Sequence, residues 1–158
     1  MPIAFERIDY RELNSRQQEA YNFQKVSAVL ADFGIVTIPL SNDWNGADFI
    51  AQCRDGITFL KVQLKSRLTF DKKYCGKHLY ICFRDGVHDH DPWYMYNHDE
   101  LLKEIDANRH IQDSETWQAG KPYHFPTLSL RLKEQLDKYR IPNAVAISCV
   151  TFKATQCV

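Results

Sequence analysis

The stretch Asn45–Arg67, NGADFIAQCRDGITFLKVQLKSR, decides how the rest of the chain is read. Ala47–Cys53 and Ile57–Arg67 read as two strands of a hairpin, joined by the tight turn Arg54–Gly56. Side chains alternate faces along a strand. Leu60, Val62 and Leu64 therefore share one face of the second strand, and Lys61, Gln63 and Lys65 share the other. The apolar trio is what a sheet needs to bury. The polar trio is costly on a sheet unless that face is solvated or the groups have partners.

Working outward from the hairpin, Asn14 or Ser15 can cap a helix that runs to about Phe33, where Gly34 stops it. Tyr21, Val26, Val29, Leu30 and Phe33 form its apolar stripe. Ile35–Leu40 reads as a β-branched strand with Pro39 limiting its far end, and Ser41–Gly46 as a turn-rich loop carrying Asp43 and Trp44. Beyond the hairpin come a basic connector, Leu68–Lys77, an apolar strand, Leu79–Phe83, a polar turn, Asp85–Asp91, and a short aromatic strand, Trp93–Tyr96. Asn97 or Asp99 can cap a helix over Glu100–Ala107, and Asn108–Pro122 is polar and irregular. Thr127 or Ser129 starts a helix to about Tyr139, with Leu128, Leu130, Leu132 and Leu136 as its apolar positions and Pro142 as its stop. Ala144–Phe152 is a final strand. The order α-β-β-β-β-β-α-α-β defines an α/β (α+β) three-layer sandwich, expected as one domain over all 158 residues.

The zero net charge removes the bulk basic field common among nucleic-acid binders. Charge is nevertheless segregated. Lys61–Lys77 carries Lys61, Lys65, Arg67, Lys72, Lys73 and Lys77 against Asp71 alone, whereas Asp85–Asp106 has seven acids against Lys103. A basic segment beside a strand is compatible with a phosphate-bearing ligand, and also with a solvated charged loop. The five cysteines contain no CxxC pair, which argues against a disulfide framework and a zinc ribbon. Cys53, Cys82 and Cys149 fall in strand-like runs, as buried thiols do. With no signal segment and no membrane-spanning run, a reducing cytoplasm is the expected compartment.

On a tight hairpin Asp48 can lie near Gln63. A carboxylate and an amide oxygen are hard ligands suited to Mg²⁺ or Mn²⁺. The Lys65 ammonium, two residues on, can hold an attacking water or neutralise a phosphate. Further oxygens are needed, and Glu19 on the first helix is the best source, with Asp43 behind it and Asn22 or Gln24 as alternative helix positions. Arg67, Lys72 and Lys73, together with Lys61, are candidates for the phosphate backbone. Trp44 is the aromatic best placed for substrate contact, with Trp93, Tyr94 and Tyr96 as further aromatics that could stack on bases, Trp93 and Tyr94 being read as part core and part rim. His88-Asp89-His90-Asp91 has metal-ligand residue types, but polar runs are normal in a turn.

Asp48, fourteen intervening residues, then Gln63-Leu64-Lys65, after a helix bearing Glu19, resembles the PD-(D/E)xK nuclease superfamily, in the Gln-x-Lys variant found in nuclease subunits of some cut-and-paste transposases. The resemblance covers about residues 14–102, and Pro92–Leu102 resembles the strand-then-helix ending of such domains; the C-terminal helix and strand, about 126–152, lie outside it. It implies a restriction-endonuclease-like core in which Asp48, Gln63 and Glu19 bind Mg²⁺ or Mn²⁺ and Lys65 assists the water. The implied activity is endonucleolytic hydrolysis of DNA or RNA, with a homodimer for double-strand cutting. Two departures stand out. Gly46-Ala47 replaces the residue pair containing the usual Pro, and Gln63 replaces Glu, which removes a negative charge from the metal site. A catalytically inactive module that binds nucleic acid or a partner protein on the same fold is the alternative.

Overall fold

A computed structural model describes residues 2–142; the strand read over Ala144–Phe152, with Cys149, lies outside the described residues. Asn14 opens α1 (Ser15–Ala31) with a reciprocal cap. Its side chain accepts the Gln17 N–H, and the Gln17 side chain accepts the Asn14 N–H, both at 3.0 Å. The helix ends at Ala31, two residues short of Phe33, and the chain turns away through Gly34 at φ +71°. Val26 and Leu30 are buried, with Phe23, Val29 and Phe33 packed beside them. Tyr21 leaves the expected stripe and packs on Tyr10, ring to ring at 5.4 Å.

The strands are β1 (Val36–Trp44), β2 (Ala47–Gln52), β3 (Phe59–Lys65), β4 (Thr69–Phe70), β5 (Leu79–Arg84), β6 (Trp93–Asn97) and β7 (Tyr123–His124). Five of them form a mixed sheet in the order β1-β2-β3-β5-β6, antiparallel except where β3 runs parallel to β5. The expected loop Ser41–Gly46 is mostly strand. β1 continues to Trp44, which pairs with Ala47, and only Asn45 and Gly46 make the turn, at φ +57° and +88°. Two positive-φ residues suit the right-handed twist of a hairpin. Pro39 does not end β1, because β1 is the sheet edge, where a missing N–H is tolerated; the register shifts between Pro39 and Trp44 instead.

Helix α1 lies on one face of the sheet. There Val26 and Leu30 meet Phe49, Ala51, Val62, Cys82 and Trp93. On the other face lie α2 (His98–Arg109), α3 (Glu115–Gln118) and α4 (Leu130–Leu136), whose Leu101, Ile105, Trp117, Leu132 and Leu136 join Ile81, Phe83, Tyr94 and Tyr96. Each such side chain contributes about 1.5–3 kcal/mol by burial. The fold is thus an α+β sandwich with flanking helices. The second group of helices packs on β5 and β6, and the far face of β1–β3 stays open, with Val36, Ile38 and Phe59 exposed.

Four expectations change. The connector Leu68–Lys77 is not a solvated loop: Leu68, Thr69, Phe70, Asp71 and Tyr74 are buried, and β4 pairs with β7. Asn108–Pro122 buries Ile111 and Trp117 and includes α3. In α4, Leu132 and Leu136 are buried but Leu130 is 82% exposed, because residues two apart on a helix do not share a face. Trp93 and Tyr94 are wholly core, with no rim part, and Tyr96 is buried with them. No helix among the described residues is long and apolar enough to cross a membrane.

Candidate metal and phosphate cavity

β2 departs from strict alternation at Asp48. Phe49 and Ala51 pack into the α1-side core, yet Ala47 joins the core on the opposite face. The pairing of β2 with β3 stops at Phe49–Val62, and the next β3 N–H, on Leu64, is taken by the Asp48 carboxylate at 2.7 Å. A side chain thereby replaces a ladder bond, and the strands splay. The same Asp48 oxygen accepts a hydrogen bond from Gln63 Nε2, whose amide also donates to the Leu64 carbonyl at 3.2 Å.

At the splay lies a cavity of about 340 Å³, lined by Glu19, Asp48, Gln63, Lys65, Lys73 and Tyr74, among others. Four expected site residues thus meet in one space, brought from α1, β2 and β3. Glu19 is exposed and makes no hydrogen bond among the described residues, while Asp48, Gln63 and Lys65 are half-buried. Asn22 is spent elsewhere, donating to the Tyr10 hydroxyl at 2.7 Å. Gln24 is exposed, and neither it nor Asn22 lines the cavity.

The polar face of β3 finds partners as its cost requires. Lys61 donates to the Lys77 carbonyl and does not line the cavity. Lys65 places its ammonium 5.4 Å from the centre of the Tyr74 ring. Of the other basic residues, Lys73 lines the cavity, with its ammonium 5.0 Å from the same ring and 3.7 Å from Asp71. Lys72 lies over Trp117 at 5.7 Å, and Arg67 lines a separate cleft of about 310 Å³. Trp44 is the last residue of β1, at the hairpin beside the cavity's Ala47.

Tyr74 is the residue that sequence reading missed. It lies in a connector taken for a loop, and nothing local marks it. It is 1% exposed, and burial raises its phenol pKa. Gly46 makes room for it: a Cβ at Gly46 would stand 2.9 Å from Tyr74 Cε1. Nearby, His124 accepts or donates at Thr69 Oγ1 over 2.9 Å, and its pKa is lowered by burial and by the charges of Arg67 and Lys65.

Two other polar groupings are less suited to chemistry. A larger cleft of about 530 Å³ lies between Arg7–Arg11 and the His88–His90 turn, but both of its acids are already paired, Asp9 with Arg11 at 2.6 Å and Asp89 with Lys25 at 2.7 Å. In that turn Asp91 accepts the His88 N–H at 2.7 Å, as a solvated turn does. Cys75, His98 and Asp99 also have ligand atoms within 4.8 Å of one another. Yet His98 Nε2 accepts the Asp71 N–H at 3.1 Å, which places its proton on Nδ1 and directs that proton to Asp99 at 2.8 Å. Both nitrogens are spent. Burial lowers the His98 pKa and raises that of the Cys75 thiol, with Asp99 and Asp71 adding to the latter. The result is a structural cluster of uncharged imidazole and thiol beside a carboxylate, lacking a free imidazole lone pair for a metal.

No family model, curated protein or solved structure matches this chain.

Proposed function

We propose that this chain is a metal-dependent, endonuclease-like protein of the PD-(D/E)xK type that hydrolyses phosphodiester bonds of DNA or RNA. The observation that supports it is the convergence of Glu19, Asp48, Gln63 and Lys65 on one cavity where β2 and β3 splay. The donor set fits a hard divalent ion, since two carboxylates and an amide meet with no sulfur or imidazole among the lining residues. Glu19 and Asp48 would hold Mg²⁺ or Mn²⁺ through carboxylate oxygens. Gln63 would add Oε1 once its amide has turned over, because Nε2 now faces Asp48. The bound ion would polarise a phosphate oxygen and lower the pKa of a coordinated water.

The chain's own groups supply the rest. Lys65 orients the attacking water and neutralises charge on the phosphate. Lys73 holds the phosphate from the cavity wall, with Lys72, Arg67 and Lys61 along the flanking backbone and Trp44 near the hairpin for base contact. Cutting both strands takes two such sites, hence a homodimer. Cys75 and Cys82 take part in no disulfide among the described residues, which suits a reducing cytoplasm.

The test is cleavage of labelled duplex DNA and structured RNA with Mg²⁺ or Mn²⁺. Asp48→Ala and Lys65→Ala should each lower the rate by roughly 10²-fold or more while circular dichroism stays native. Full activity in either variant sinks the reading. The orientation of the Gln63 amide, nitrogen toward the carboxylate, favours one second reading: a non-catalytic module that binds nucleic acid or a partner protein. It requires salt-sensitive binding without cleavage under any divalent ion, weakened by Lys72→Ala and Lys73→Ala.

A further inference from the structure

Tyr74 touches both ammonium groups that line the cavity, Lys65 at 5.4 Å and Lys73 at 5.0 Å from its ring centre. We propose that Tyr74 is a positioning residue whose ring holds Lys65 and Lys73 as a paired cationic seat for a phosphate group, across the cavity's acids Glu19 and Asp48. This rests on reading the cavity as a phosphodiester site, and it assigns what holds the phosphate there.

The physical need is plain. Two ammonium groups repel each other, and each lysine stem carries rotamer entropy that favours swinging out to water. An aromatic face, negative at its centre, attracts both. For that the ring must itself be fixed, and it is. Its edge abuts the Gly46 backbone so closely that any Cβ would collide, and Gly46 sits at φ +88°, where side chains are disfavoured. The His98 ring meets it edge-on at 5.7 Å and 82°. Lys73 is tied further: buried Asp71 accepts its N–H at 3.1 Å, and the second Asp71 oxygen lies 3.7 Å from its ammonium. The phenol stays protonated because burial raises its pKa, so Tyr74 offers a ring face and not a base.

Inorganic phosphate and a short dinucleotide, titrated without divalent metal and followed by phosphorus NMR, test this. Tyr74→Phe keeps the ring and loses only the hydroxyl beside Lys73, so it should retain most of the binding that the trifluorinated ring loses. Tyr74 exchanged for a trifluorinated phenylalanine keeps the shape but drains the ring face, and should bind about threefold more weakly, the fold-change that an exposed cation–π contact represents. Lys73→Met should weaken binding about tenfold. Should the trifluorinated ring not fold, a monofluorinated ring and a Tyr74→Leu/Lys73→Met double-mutant cycle give the same answer, the coupling being the readout. Absence of phosphate binding in the wild type, or equal binding with the plain and fluorinated rings, overturns the proposal. Ring-dependent phosphate binding with no cleavage would overturn the nuclease reading alone. Cleavage with ring-independent binding would overturn this one alone.

Discussion

Two clusters of titratable side chains share Tyr74 as a wall, and they are built in contrary ways. Cys75, His98 and Asp99 come from two parts of the chain, the connector and the start of α2, and their donors and acceptors are spent on one another and on the backbone of Asp71 and Gly76. Glu19, Asp48, Gln63, Lys65 and Lys73 come from four parts of the fold and converge on open space. Ligand-type residues close together do not make a site. A site needs capacity left over after the fold has been satisfied, and a cavity to receive something. The first cluster holds the structure together, and the second has an outward-facing remainder.

Substitutions can break this contrast. The largest effect is expected from Glu19→Gln. It should cut metal-dependent cleavage roughly 10²-fold with unchanged urea stability, because Glu19 is exposed and bonded to nothing among the described residues. An unchanged rate would remove Glu19 from the site. The mirror experiment is His98→Leu, which orphans the Asp71 N–H. It should lower stability by about 1–3 kcal/mol in urea titrations and, because Leu still packs against the Tyr74 ring, cut cleavage far less than Glu19→Gln does. Lost cleavage in a folded His98→Leu would mean that the two clusters are not separate.

Gly46→Ala probes the wall itself. The positive φ alone costs about 1–2 kcal/mol, and the added methyl must push Tyr74, so near-ultraviolet dichroism should change along with the melting temperature. The gentlest probe is pH. The folded pKa of His98 lies below 6.5, so its neutral form is the native one. The unfolded chain takes up the proton first as pH falls through about 6.5, so stability is full above that value and declines below it until the folded group also titrates. Thermal melts from pH 7.5 to 5 should show the decline in the wild type and a shallower one in His98→Leu. Parallel slopes would remove His98 as the cause.

The hairpin was legible because period-two alternation and a turn at Arg54–Gly56 are local signals, and the face assignment of Leu60, Val62 and Leu64 against Lys61, Gln63 and Lys65 follows from the pleat alone. The end of β1 is harder to read although its signal is present: Asn45-Gly46 is the strongest two-residue hairpin signature, and Pro39 and polar Ser41–Asp43 pull against it. The connector Leu68–Lys77 hides its structure for a different reason. Its lysines look solvated, whereas its buried Phe70 and Tyr74 are recruited by contacts distant in the chain, with Phe125, Tyr96 and His98. For the same reason Asp48, Gln63, Lys65 and Glu19 could be named from spacing and helix position, but Tyr74 could not. Its role arises only when the connector folds back over Gly46.

The most direct measurement is calorimetric titration of Mn²⁺ into the wild type and Asp48→Ala. Saturable binding in the wild type that disappears in Asp48→Ala is the expected result, since Asp48 anchors the cavity from β2. Equal binding in both proteins, or none in the wild type at millimolar Mn²⁺, would contradict the metal site and with it the catalytic reading.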